Sequence, residues 1–151
     1  MEGNPFEFFY PGQRFALKGR SFSEDEIIAF AKQWDPQTFH VDPVQAKASI
    51  FGGVVASGLQ SLCLAFLLFH EARIFGDWFE GGIGADELRF PAPVRPGDVL
   101  SLDVEVLETR ESRSRPALGI VKTRFVLRNQ RDETVLSLIS IDLMRRKTAL
   151  A

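Results

Sequence analysis

The chain has 151 residues, a formal net charge of -2, and hydrophobic and charged shares of 45% and 25%, which fits one globular domain over residues 1–151 with a core of its own. It lacks the basic excess that nucleic-acid binding needs, and its single cysteine, Cys63, excludes an internal disulfide and reads as a buried thiol in an apolar run. The opening MEGNPFEFFYPG has no basic n-region and the longest apolar run, 62–69, is too short for a bilayer, so a cytoplasmic protein without membrane contact is expected.

In chain order, QRFALK (13–18) predicts a short first strand. SFSEDEIIAFAKQWD then opens a helix. Ser23 and Glu26 fit a capping box, and Phe22 before the cap faces Ile27 as a hydrophobic staple. Ile27, Phe30, Ala31 and Trp34 fall on one helical stripe. Pro36 disfavours helical geometry at Asp35, so the helix ends there. The helix-end carbonyls should push the Asp35 carboxyl upward. PVQAKAS predicts a short helical turn. GLQSLCLAFLLFHEARIFGDW predicts a helix apolar almost all round between 62 and 69, wrapped by the rest of the protein, with Gly76 as its stop.

The second half alternates. ADELRFPAPVRPGD reads as strand, rigid segment and a Pro96-Gly97 turn. LSLDVEVLE (100–108) turns Leu100, Leu102, Val104 and Val106 to one face. GIVKTRFVLRN (119–129) does the same with Val121, Thr123, Phe125 and Leu127. TVLSLISIDLMRR is apolar on both faces for part of its length and predicts an interior strand. ESRSRPALG and NQRDE predict hairpin connections. Arg110, Arg113 and Arg115, interleaved with Glu108 and Glu111, read as a solvated loop. The sum is α+β, an antiparallel sheet curled around one apolar helix.

This layout resembles the hot-dog fold and, more narrowly, the MaoC-like dehydratases, the group containing the (R)-specific enoyl-CoA hydratases. Three stretches carry the resemblance: DPQTFHVDP (35–43), FGGVVASGLQ (51–60) and LRFPAPVRPGD (88–98). Asp35 and His40 match the family's catalytic aspartate and histidine in spacing and order. Gln37-Thr38 stand where hydratases commonly carry asparagine and proline, Ser57-Gly58 where they often carry histidine and glycine, and Phe66 where a serine is found. The resemblance implies a hydro-lyase that hydrates a 2-enoyl thioester or dehydrates a 3-hydroxyacyl thioester. It also implies subunits joined sheet edge to sheet edge, hence at least a homodimer, or a dimer of dimers.

That chemistry needs a proton carrier, a partner for it and a holder of thioester oxyanion charge. Histidine titrates near working pH, so His40 suits the first task and Asp35, sharing a bound water, the second. The N–H of Gly58, at the start of the apolar helix, is the oxyanion candidate. Ser57, which also fits a helix cap, and Gly53 are further candidates for substrate contact, although Gly52-Gly53 without a following G-K pattern reads first as a tight turn. His40 and Asp35 also have structural readings, as a carbonyl-bound histidine and a helix-end acid; His70 reads as structural. Two ligands are too few for a metal, and no cofactor is expected beyond coenzyme A as part of the substrate. Lys47, Arg89, Arg95 and Lys122 are available to its phosphates, and an acyl carrier protein is the alternative carrier. A thioesterase would want an acid in VVASGLQ, which has none. A non-catalytic acyl-thioester binding subunit is the remaining alternative.

Overall fold

The computed structural model describes residues 1–150. After a 3-10 turn at Phe6–Phe8 come β1 (Arg14–Leu17), α1 (Glu24–Trp34), α2 (Thr38–Val41), α3 (Pro43–Lys47), α4 (Gly58–Glu71), β2 (Phe79–Arg89), β3 (Ser101–Glu111), β4 (Leu118–Arg128) and β5 (Thr134–Arg145). The strands form one antiparallel sheet in the order β1-β3-β4-β5-β2. No helix among the described residues is long and apolar enough to cross a membrane.

Alternation in β3 and β4 lands as expected. Leu100, Leu102, Val104, Val106, Val121, Thr123, Phe125 and Leu127 are all buried, because strand side chains point to alternate faces and only one face meets the helix. Phe15, Val104, Phe125 and Leu138 lie in one cross-strand row. β5 pairs with β4 on one side and β2 on the other, the interior position its composition predicts.

The α1 start matches expectation in detail. The Ser23 side chain accepts from Glu26 N–H, and Glu26 returns a bond to the Ser23 N–H. Ile27 and Ala31 are buried, whereas Trp34, expected on the same stripe, is 63% exposed. It occupies the last helical position. The short α2, absent from the sequence-based layout, carries His40. Asp42 caps α3, accepting from Val44 and Gln45 N–H, with Pro43 at the first helical position where its missing N–H costs nothing.

α4 corrects three expectations. It stops at Glu71, not Gly76: Arg73 takes a left-handed backbone at φ 53 and ends the helical run first. It is not wrapped all round, since Leu64, Ala65, Leu68 and Phe69 meet the sheet while Leu59, Phe66 and Leu67 remain exposed. Cys63, expected buried, lies on this uncovered side. β2 also starts earlier than the sequence suggests, running through FEGGIGADELR with three register shifts against β5. Its glycines hide the strand from a pattern search, but β5 supplies the hydrogen bonds that keep it extended.

Candidate active site

α1, α2 and the start of α4 converge on one point. Asp35 caps the C-terminus of α1, its N–H donating to the Ala31 carbonyl at 2.8 Å. Pro36 prevents continuation, and the chain turns into α2, which delivers His40 one turn later. Segment 54–56 runs alongside, held by Val55 N–H to the Phe39 carbonyl and Ala56 N–H to the Val94 carbonyl. The two candidate groups therefore meet: His40 Nε2 lies 3.4 Å from Asp35 Oδ2.

His40 is buried, and its Nδ1 sits 2.6 Å from the Val55 carbonyl oxygen. A carbonyl can only accept, so Nδ1 carries a proton and the neutral ring presents a bare Nε2 lone pair toward Asp35. The structural role considered for His40 is thus real. It is filled by one ring nitrogen and leaves the other free for chemistry.

Asp35 overturns the expected upward shift. Ser57 Oγ–H donates to its Oδ2 at 2.7 Å and Gln37 Nε2–H to its Oδ1 at 3.1 Å. The Ser57 bond above all, with smaller help from Gln37, holds the carboxyl below its ordinary value against a desolvation that works the other way. Two donors aimed at the charged form outweigh the cost of burial. Asp35 is therefore a carboxylate at neutral pH.

Ser57 is fully buried and serves as the N-cap of α4, accepting from Leu59 N–H at 3.2 Å. Its one hydroxyl proton goes to Asp35, so it ties the helix to the acid and does not face substrate space as its candidacy for substrate contact required. This Ser57–Asp35 link is absent from sequence reasoning, since 22 positions separate the partners. Gly58 meets the expectation better. No acceptor among the described residues takes its N–H, and a Cβ there would lie 2.6 Å from Phe90 Cε1. Only glycine lets the Phe90 ring approach the helix start so closely. Gly53 lies outside the cavity, in the turn with Gly52, whose φ is 69.

The cavity over these groups is half open and about 330 Å³; Asp35, Gln37, His40 and Gly58 line its polar side, and the 90–94 segment forms its apolar wall. Among the candidate cations, Arg89 and Arg95 flank that wall and are exposed, as is Lys47 at the end of α3. Lys122 does not belong with them; it pairs with Glu108 at 3.3 Å on β4, on the sheet face turned away from α4. Among the described residues no three His, Cys, Asp or Glu side chains gather as a metal set.

Comparison with known proteins gives the family. Residues 8–126 match the MaoC like domain, and the chain belongs to that family. Its fold is the hot-dog fold; a Mycobacterium tuberculosis protein with a double hotdog fold superposes at TM-score 0.79 and 18% identity, over 96% of this chain and 45% of that one. The chain is similar to the MaoC-like dehydratase from Rhodospirillum rubrum, with TM-score 0.90 and 34% identity over 96% of this chain and 99% of that one. It is also similar to the uncharacterized protein YdeM of Bacillus subtilis, 37% identical over 127 residues, which is 84% of this chain and 89% of the relative. The (R)-hydratase from A. caviae involved in PHA biosynthesis aligns at TM-score 0.64 and 25% identity, over 89% of this chain and 96% of that one.

Proposed function

We propose that this protein is a hydro-lyase that interconverts a 2-enoyl thioester and the corresponding 3-hydroxyacyl thioester. The observation that carries the reading is the pairing of His40 Nε2, fixed as an acceptor by the Val55 carbonyl, with the Asp35 carboxylate 3.4 Å away. Two acceptors facing one cavity hold a water by both of its hydrogens, which leaves an oxygen lone pair free for C3. As oxygen bonds to C3, His40 takes one water proton and the C2–C3 π electrons move toward the thioester carbonyl. The Gly58 N–H, at the positive end of α4, meets the charge on that oxygen. Asp35 stabilises the imidazolium, which returns its proton to C2 on the same face, so the sum is H and OH added across the double bond. The (R)-hydratase similarity supports the same reaction class.

Coenzyme A is the carrier this reading favours, with Arg89 and Arg95 beside the cavity mouth for its phosphates. A second copy of the chain completes the protein. β2 is eleven residues long and, among the described residues, pairs with β5 alone, and beside its free edge α4 leaves Leu59, Phe66 and Leu67 uncovered. An unpaired edge next to an apolar helix face is a surface that a self-complementary pairing buries.

The test is loss of enoyl-thioester absorbance with crotonyl-CoA and a longer 2-enoyl-CoA. Wild type should hydrate at least one of them. His40→Ala should lower turnover by about 10²–10⁴-fold while acyl-CoA affinity stays within several-fold. Equal turnover in the variant would remove His40 from the chemistry, and release of free thiol by wild type would make the protein a thioesterase.

A further inference from the structure

The inner end of the active-site cavity holds a polar group that the hydration chemistry leaves unused. Six of the residues lining the cavity are buried: His40, Val55, Ala56, Ser61, Val94 and Val135. His40 belongs to the acid–base pair. Ser61, 2% exposed, is then the one hydroxyl in an apolar floor. A helical serine often bonds the carbonyl one turn back. Here the Ser57 carbonyl takes the Gln60 N–H at 3.0 Å and the Ser61 N–H at 3.3 Å. The Ser61 hydroxyl, without a hydrogen-bond partner among the described residues, faces the cavity. A buried hydroxyl left so is costly, and alanine would fill the place without that cost. Ser61 stands roughly 200° around α4 from Leu59, so a second copy seated over Leu59, Phe66 and Leu67 lies across the helix from it.

The place of Ser61 on α4 says which part of an acyl group it meets. Gly58 and Ser61 are three residues apart and line the same cavity. Ser61 lies about 4.5 Å further along the axis, its side chain leaning back toward the helix start. That is too far to share the oxygen held by the Gly58 N–H. A thioester with its carbonyl there and its C3 at Asp35 and His40 runs C4 and C5 past Ser61. No lysine or arginine lines the cavity among the described residues, and Asp35 is itself an anion there. An acyl carboxylate would be buried without countercharge, so the oxygen that suits Ser61 is neutral.

We propose that the acyl group taken by this site carries a neutral oxygen at or in place of C4 or C5, which accepts a hydrogen bond from the Ser61 hydroxyl. The proposal rests on the site holding an acyl thioester with its carbonyl at Gly58. Calorimetric titration of the intact protein with saturated thioesters tests it without any turnover. The probes are 3-methoxypropanoyl-CoA and 4-methoxybutanoyl-CoA, compared with pentanoyl-CoA and hexanoyl-CoA of matching chain length. At least one ether should bind about threefold or more tightly than its alkyl match. Ser61→Ala, a good helix former of similar size, should reverse that order, because the ether oxygen is then buried unpaired. Wild type that prefers both alkyl chains, or binds none of the four, overturns the proposal. So does the same order in wild type and Ser61→Ala, the result a purely structural serine would give; if the variant fails to fold, the wild-type order alone decides. An ether preference in a protein that does not hydrate crotonyl-CoA or its longer homologue would remove the hydro-lyase reading and leave this one standing.

Discussion

Removing the Ser57 hydroxyl tests the link between the fold and the acid most directly. Ser57→Ala deletes two bonds, the cap to Leu59 N–H at 3.2 Å and the donation to Asp35 Oδ2 at 2.7 Å. The lost cap costs about 1 kcal/mol. The lost bond to a carboxylate costs about 1 kcal/mol more, below the usual charged-group value because the Asp35 side chain is 21% exposed and water replaces part of the donor. The sum, about 2 kcal/mol, corresponds to a fall in Tm of roughly 4–8 °C for a chain of this size. The two parts separate with pH. Asp35 has a lowered folded pKa, so its contribution is complete above the unfolded value near ~3.9 and is lost as pH falls through the folded one. Urea unfolding of wild type and Ser57→Ala should therefore differ equally at pH 7 and at about pH 5, and differ less once pH falls through the folded pKa, where only the cap remains. A difference that is absent at pH 7, or that does not shrink in acid, refutes the Ser57–Asp35 coupling. The same variant should move the acid limb of the hydration rate to higher pH, because Asp35 loses its principal stabilising donor.

Three further outcomes follow from single contacts. Gly58→Ala places a methyl 2.6 Å from Phe90 and pushes that ring into the cavity; steady-state hydration kinetics should show kcat/KM reduced by about 10–100-fold with stability little changed. Asp142 is an acid with a raised folded pKa, so wild-type stability falls as pH rises from about 4 through about 6; Asp142→Asn should remove a loss of order 3 kcal/mol, seen as a stability gain in urea at pH 8 and none at pH 4. Leu67→Glu puts a charge on the uncovered side of α4, and light scattering should show the mass of one chain where wild type shows two or more. Wild-type Cys63 should then react slowly with a thiol reagent, and quickly in that variant; a monomeric wild type would end the paired-edge reading.

The site was partly legible because part of it is local. Asp35 and His40 lie on either side of one chain reversal, so the helix stop at Pro36 and the spacing together bring them near, whatever the rest of the chain does. The charge state of Asp35 was not legible, and the inference from the helix end ran the wrong way. That sign depends on Ser57, which reaches the acid only because α4 packs against α1. Gly58 was predictable as a helix start, but the Phe90 contact that makes glycine necessary comes from the segment after β2. Gly53, adjacent in sequence to the same stretch, turns away from the cavity.

Readable along the chain were the properties set by neighbours in it: the capping box at Ser23, the stop at Asp35, the alternation of β3 and β4, and the apolar character of α4. These follow from backbone geometry and the period of each element, which need no partner to be read. Tertiary structure alone decided which side of α4 is covered, that the glycine-rich 79–84 stretch is a strand, that Asp35 is held ionised and that Asp142 is buried. Each depends on groups distant in sequence and close in space, where burial and hydrogen bonding, not propensity, set the energy.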